Sequence, residues 1–200
     1  MNEMNVEEVT LEGTRLRLEP LTQSHHAMLC AVGLDPELWR WIPKPVGTAE
    51  EMAEYVAFAL AEQAAGRALP FAVIDKATGR AIGSTRYGAI EPAHRRVEIG
   101  WTWLARPYHR TAANTEAKYL LLRHAFETLG CIRVELKTDS LNEPSRAAIR
   151  RIGAREEGTL RNHMITASGR VRDTVYYSIL AEEWPEVKQG LERRLDLHTS

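Results

Sequence analysis

Cysteine is nearly absent from this chain, and its scarcity already excludes a fold class. Cys30 and Cys131 are the only two in 200 residues. Far apart and each among apolar neighbours, they offer no disulfide framework and suit reduced, buried thiols in a cytoplasmic protein. His26 and Cys30 lie at i, i+4, but two ligands without a third make no zinc site, so no metal is expected. An excess of one charge is lacking too: a formal net charge of −1 provides no bulk field for nucleic acid or an anionic membrane. No apolar run approaches the roughly 20 residues that span a bilayer, and no basic, apolar leader opens the sequence. Internal repeats, low-complexity runs and linkers are missing, so residues 1–200 read as one domain.

What is present is a composition of 44% hydrophobic and 26% charged residues, enough for one α/β domain with a real core. Leu11 to Thr14 reads as a turn between two short strands, and Leu16 and Leu18 alternate with Arg15, Arg17 and Glu19. Thr22 or Ser24 caps a first helix that fades near Gly33. The segment Leu34 to Gly47 holds Trp39, Trp41 and three prolines, too apolar for an idle loop and too broken for a long helix. Thr48 with Glu51 makes a capping box for a second helix reaching Gly66. A meander follows: Phe71 to Asp75, Ala81 to Tyr87, and Arg96 to Leu104. In the third of these strands a period of two puts Val97, Ile99, Trp101 and Trp103 on one face and Glu98, Gly100 and Thr102 on the other.

A helix with Leu121, Leu122, Ala125, Phe126 and Leu129 on one stripe then stops at Gly130. The next strand, Ile132 to Lys137, follows a crossover helix and is therefore expected to run parallel to Arg96–Leu104. Pro144 stands near the start of a short helix that ends at Gly153, with Ser145, Ala148, Ile149 and Ile152 on one face. A last hairpin joins Ala154–His163 to Val171–Leu180, and Glu182–Leu195 forms a terminal amphipathic helix with a polar tail.

The centre of the chain is the order strand, tight loop, helix start between Arg96 and Leu129. Open N–H groups of a first helical turn, at the positive end of the macrodipole, make an anion site that needs few side chains. Neither Gly-x-x-x-x-Gly-Lys nor Gly-x-Gly-x-x-Gly occurs at this loop, which argues against a P-loop or Rossmann nucleotide site.

Val97-Glu98-Ile99-Gly100, the stretch Pro107 to Lys118, and Asn142-Glu143-Pro144-Ser145 ahead of Ile152-Gly153-Ala154 together resemble a GCN5-related N-acetyltransferase. The closest branch is similar to the Rim-type ribosomal-protein N-terminal acetyltransferases, and the resemblance covers roughly Leu11 to Trp184. It implies an α/β (α+β) fold with a mixed, largely antiparallel sheet, a splayed central strand pair and flanking helices. It also implies acetyl-CoA as co-substrate and a primary amine as acceptor, a peptide N-terminus or a small molecule. Acyl chain length and oligomeric state stay open. From a different class, the alternative is a non-catalytic acyl-CoA-binding or sensing domain.

The family's diphosphate loop carries glycines, whereas this chain has His109, Arg110, Thr111, Ala112, Ala113 and Asn114, followed by Thr115. Alanine penalises positive φ, so the loop is expected to use αR-like angles, with Arg110 adding a cation beside the diphosphate. The resemblance places these seven residues, with the backbone of Trp103 and Leu104 and the side chain of Asn142, on the cofactor. Gly100 in mid-strand fits a bulge or a close backbone approach, and an N–H around Trp101 to Trp103 would face the thioester oxygen. Glu98 stands where some members carry a carboxylate base; the plainer reading is an ion pair with Arg95, Arg96 or a neighbouring strand. Ser145 matches the branch's serine and could donate to the leaving sulfur, Ile149 standing where other members place a tyrosine; the alternative is helix-start hydrogen bonding. Asn142 serves equally as an N-cap, and His109 as an exposed loop histidine. Trp39 and Trp41 either wall the acceptor pocket or pack in the core.

Overall fold

Residues 4–196 are described by a computed structural model. Residues 1–3 of the domain, and most of the expected polar tail at 197–200, lie outside the described residues. In chain order the elements are β1 (Leu11–Glu12), β2 (Leu16–Pro20), α1 (His26–Gly33), α2 (Ala49–Ala64), β3 (Leu69–Asp75), β4 (Arg80–Glu91) and β5 (Arg96–Leu104). They continue with α3 (Ala113–Arg123), β6 (Arg133–Asp139), α4 (Glu143–Arg151), β7 (Arg155–Ile165), β8 (Val171–Leu180) and α5 (Trp184–Leu195). Helix α2 begins where the capping box places it: the Glu51 N–H donates to Thr48 Oγ1 and the Thr48 N–H to Glu51 Oε2, both at 3.2 Å.

One sheet takes all eight strands in the order β1-β2-β3-β4-β5-β6-β8-β7. Its neighbours are antiparallel except β5 and β6, which run parallel as the crossover requires. Apolar residues cover both faces and make two cores. Beneath α3, α4 and α5 lie Leu18, Phe71, Val97, Ile99, Leu121, Val134 and Tyr177. Beneath α1 and α2 lie Leu29, Trp39, Met52, Val56, Ile74 and Trp103.

Strand β5 departs from strict alternation, and the departure corrects the expected faces. Arg86 on β4 pairs with Gly100, but Ser84 pairs with Trp103, so β5 carries one extra residue opposite Thr85. The bulge starts at Gly100, the first of the two readings its mid-strand position offered, and Trp101 takes φ +49. Parity inverts there. Val97, Ile99 and Leu104 enter the α3-side core, while Trp103 enters the α1/α2-side core. Trp101 swings to the Glu98 side, where its ring fills the space above Gly88: a Cβ built on Gly88 would lie 2.5 Å from it.

The central helix also differs from its sequence outline. Regular α-helix ends at Arg123, and a π-helical turn, His124–Thr128, carries the chain on to Gly130 at φ +64. The wider turn sets Phe126 stacked on Trp184, ring centres 5.4 Å apart. Of the two thiols, Cys131 is buried and pushed up to about 11 by that burial, whereas Cys30 is only half-buried, with Sγ 3.4 Å from His26 Nε2. Among the described residues no helix is long and apolar enough to cross a membrane.

Candidate active site

Strands β5 and β6 stay paired for three residues, Arg96–Glu98 against Arg133–Glu135, and then part. From Ile99 to Leu104 the β6-facing edge of β5 therefore has no strand partner among the described residues, and the bulge falls inside this stretch. An open edge offers backbone donors and acceptors to a linear, amide-bearing ligand. Side chains there are otherwise occupied. Trp103 packs 5.2 Å from Trp39 and donates its indole N–H to the Tyr55 hydroxyl at 3.3 Å, and Leu104 lies in the α3-side core. The Leu104 carbonyl is already held by His109 Nε2 at 2.7 Å. This contact gives His109 a structural task, bracing the loop against the end of β5.

Helix α3 starts at Ala113, and its N-cap residue, Ala112, brings no side-chain acceptor. The Thr111 hydroxyl receives the Ala113 N–H at 3.2 Å and itself donates to the Tyr108 carbonyl at 2.8 Å. Among the described residues the backbone N–H groups of Asn114 and Thr115 find no acceptor, which with the macrodipole behind them makes this helix start a candidate anion site. The side chains of Ala113 and Thr115 are buried, so these two residues face the loop through their backbone alone. A left-handed residue does occur in the loop, correcting the αR expectation: it is Arg110, at φ +60, while Ala112 stays in αR at φ −69. Bending at Arg110 leaves the alanines with ordinary angles. Arg106, ion-paired with Asp35, ties the start of this loop to the 34–47 connection.

On the far side of the opening stands α4. Asn142 caps it, its Oδ1 accepting the Ser145 N–H at 3.2 Å. Ser145 is half-buried, and among the described residues its hydroxyl makes no hydrogen bond; Ile149, one turn on, is buried in the α3-side core. The helix-start role therefore falls to Asn142 and the Ser145 backbone, not to the Ser145 hydroxyl.

The α1/α2 face of the same opening is polar. Glu98 is 3% exposed and ion-paired with Lys137 of β6 at 2.8 Å, the neighbouring-strand pairing among the alternatives. Burial alone would lower the Lys137 pKa, but the Glu98 carboxylate outweighs it and holds Lys137 above its usual value. Lys137 also lies 5.9 Å from the Trp101 ring centre and 5.7 Å from that of Tyr176. Farther along, buried Asp139 holds Arg170 and lies 3.8 Å from Arg172.

The two tryptophans of the 34–47 connection separate in role. Trp39 is 1% exposed and donates its indole N–H to the Gly33 carbonyl at 2.7 Å, so it is core and walls no opening, which corrects the pocket reading for that residue. Trp41 is half-exposed, with Arg40 and Arg170 stacked over its ring at 5.1 and 6.0 Å. The connection and the loop between β7 and β8 thus meet at Trp41.

Three buried cations went unseen in the sequence: Arg86, Lys118 and Arg172. Lys118 carried a legible signal. It shares the i, i+3, i+4, i+7 stripe with Leu121, Leu122 and Ala125, a position where lysine is out of place unless the fold needs it.

The comparisons with known proteins fit this geometry. Residues 15–155 match the family model described as an acetyltransferase (GNAT) domain. Uncharacterized N-acetyltransferase p20 of Bacillus licheniformis is 28% identical over 179 residues, covering 88% of this chain and 98% of that one. The crystal structure of a GCN5-related N-acetyltransferase from Brucella melitensis superposes with a TM-score of 0.87 at 36% identity, covering 94% and 86% of the two chains. Mycobacterium smegmatis RimJ, in complex with CoA-disulfide, superposes with a TM-score of 0.78 at 26% identity over 92% and 91%. An uncapped helix start beside an open strand edge fits coenzyme A. The chain belongs to the GCN5-related N-acetyltransferase family and is an acyltransferase enzyme that uses acetyl-CoA and an amine.

Proposed function

We propose that this enzyme acetylates a primary α-amine, of a peptide N-terminus or a small molecule, by direct attack in a ternary complex. The observation that carries this reading is the parting of β5 from β6 beside the β5 bulge. Acetyl-CoA supplies the acyl group as an activated thioester. The N–H groups of Asn114 and Thr115, with Arg110, would hold its diphosphate, and the β5 edge and the Asn142 side chain its amide-bearing arm. A backbone N–H between Trp101 and Trp103 would donate to the thioester oxygen as charge gathers on it, where preorganised donors are worth most.

Two proton tasks fall to side chains. Glu98 faces the α1/α2 side and accepts the proton of the incoming ammonium; Lys137 fixes its carboxylate in place. Ser145, half-buried at the start of α4 with its hydroxyl uncommitted, would donate a hydrogen bond to the departing thiolate. The amine and the thiolate thus meet their partners from opposite faces of one sheet, so neither proton has to cross the reacting centre.

Thiol release from acetyl-CoA, measured with a panel of α-amines and followed by the mass of the product, tests the proposal. A gain of one acetyl group on the amine supports it. Tight coenzyme A binding with no turnover on any amine overturns it in favour of a sensing domain.

A further inference from the structure

Arg86 sits in mid-strand on β4 and is 1% exposed. Its guanidinium carbon lies 5.2 Å from the Tyr55 ring centre and 5.1 Å from that of Trp101. Among the described residues its Nε and Nη2 have no hydrogen-bond partner. Taking a guanidinium out of water costs several kcal/mol unless charge and hydrogen bonds are returned to it. Two aromatic faces return part of the charge interaction, but they accept no N–H bond of ordinary strength.

Arg86 opens on a cavity of ≈ 240 Å³ between α2 and β4, bounded also by Phe58, Gly88 and Trp101. Four charged residues border it, Glu62, Arg67, Arg86 and Glu91. Glu62 is spent on Arg67, whose Nε and Nη2 meet its two oxygens at 3.1 and 2.6 Å. Glu91 faces Arg96 at 4.0 Å. Glu62 also acts on Arg86 through space, but its two oxygens are spent on Arg67, so among the described residues no carboxylate bonds the buried cation. The free pair on Arg86 is the same Nε/Nη2 edge with which Arg67, at the same cavity, grips Glu62. That edge fits the two oxygens of one carboxylate side by side.

We propose that the amine acceptor carries a carboxylate, which Arg86 receives between Tyr55 and Trp101. The acceptor is then a small amino-acid-like molecule. This rests on the acetyltransferase reading above and names the class of its acceptor. The link to the reacting centre is structural. Arg86 pairs with Gly100 in the β4–β5 register, and Trp101, the bulge residue, forms a wall of the same cavity. One cation without a bonded carboxylate matches a monoanion; a phosphate would call for more positive charge than the cavity holds. Phe58, 56% exposed on α2, and the Trp101 ring offer apolar surface to the body of the acceptor.

The test compares α-amino acids with their C-terminal amides, and with short amidated peptides, in the thiol-release assay on the whole protein. In the wild type, kcat/KM for the acids should exceed that for the matching amides by roughly 10- to 1000-fold, because a buried donor pair is left unmet by the amide. In Arg86→Met and Arg86→Gln that ratio should fall toward one. Equal rates on acid and amide in the wild type, faster turnover of amidated peptides, or a ratio unchanged in both variants would overturn the inference. The wild-type comparison needs no variant to fold. Turnover of amides or peptides alone leaves the acetyltransferase reading standing and removes only the carboxylate. Coenzyme A binding with no turnover of any amine removes both.

Discussion

The Lys118 Nζ donates to Thr102 Oγ1 at 2.6 Å, from the buried face of α3 that carries Leu121 and Leu122. Thr102 Oγ1 in turn lies 2.7 Å from Thr85 Oγ1, across the β5 bulge. Among the described residues no carboxylate comes within 4 Å of this ammonium group. Burial lowers its pKa to about 7, with the more distant Glu98 opposing that shift.

A lysine whose folded-state pKa lies below its unfolded value binds fewer protons when folded across the interval between the two. Stability should therefore rise as pH climbs from about 7 toward 10.5, and the penalty of the buried charge should be fully felt below about 7. Lys118→Met removes the penalty. The variant is expected to be more stable at pH 6 by on the order of a few kcal/mol, with the gap to wild type closing by pH 10. Denaturant unfolding at several pH values checks this, and a gap that stays constant with pH would refute it.

Ser145→Ala is expected to lower turnover by roughly 10- to 1000-fold and to leave coenzyme A affinity nearly unchanged, since a bond to a departing thiolate forms mainly in the transition state. Single-turnover rates together with calorimetric titration separate the two quantities. A matched fall in both would make Ser145 a binding residue.

Arg110 combines a charge with a left-handed backbone angle, and two substitutions divide them. Arg110→Ala removes the charge and keeps the strained φ of +60, while Arg110→Gly removes the charge and relieves the angle. Both should weaken coenzyme A by about 1–3 kcal/mol if the cation meets the diphosphate. Only the glycine variant should unfold at a higher temperature than the alanine one. Equal affinity in wild type and both variants would leave Arg110 facing solvent.

Glu98 and Lys137 are expected to show strong coupling. Lys137→Met strands a carboxylate that is 3% exposed and should cost roughly 1–3 kcal/mol, a figure discounted because the Lys137 side chain keeps 26% exposure. Adding Glu98→Gln to that variant should recover most of the loss. A thermodynamic cycle with additive effects would show that the pair contributes nothing specific.

Much of this architecture is legible in the residues, because a period of two or 3.6 and a capping pair such as Thr48 with Glu51 act locally. The parallel placement of β6 is legible too, since a crossover of helix length admits little else. The faces of β5 beyond Gly100 are not. Which side Trp101 and Trp103 take depends on one unpaired residue, and that is settled by register against β4 rather than by any pattern within β5. Site chemistry divides the same way. Asn142 as a cap follows from its neighbours, but the pairing of Glu98 with Lys137 and the unbonded guanidinium edge of Arg86 arise from side chains 39 and more positions away or from none at all. Trp39 and Trp41 look alike in sequence, and only tertiary packing sends one into the core and the other to Arg170.

The extra residue in β5 decides how many side chains the strand gives to one face. Gly100 stands opposite Arg86 and Trp103 opposite Ser84, so both flanks of the bulge already obey the pleat. Loss of Trp101 would restore strict alternation and leave both cores filled as they are, with the Trp103 indole beside Tyr55 and Trp39 and Leu104 on the other face. What goes with it is the ring over Arg86 and Gly88. The bulge is therefore dispensable to the two cores, and its length matters to the cavity and to the strand edge that β6 leaves open.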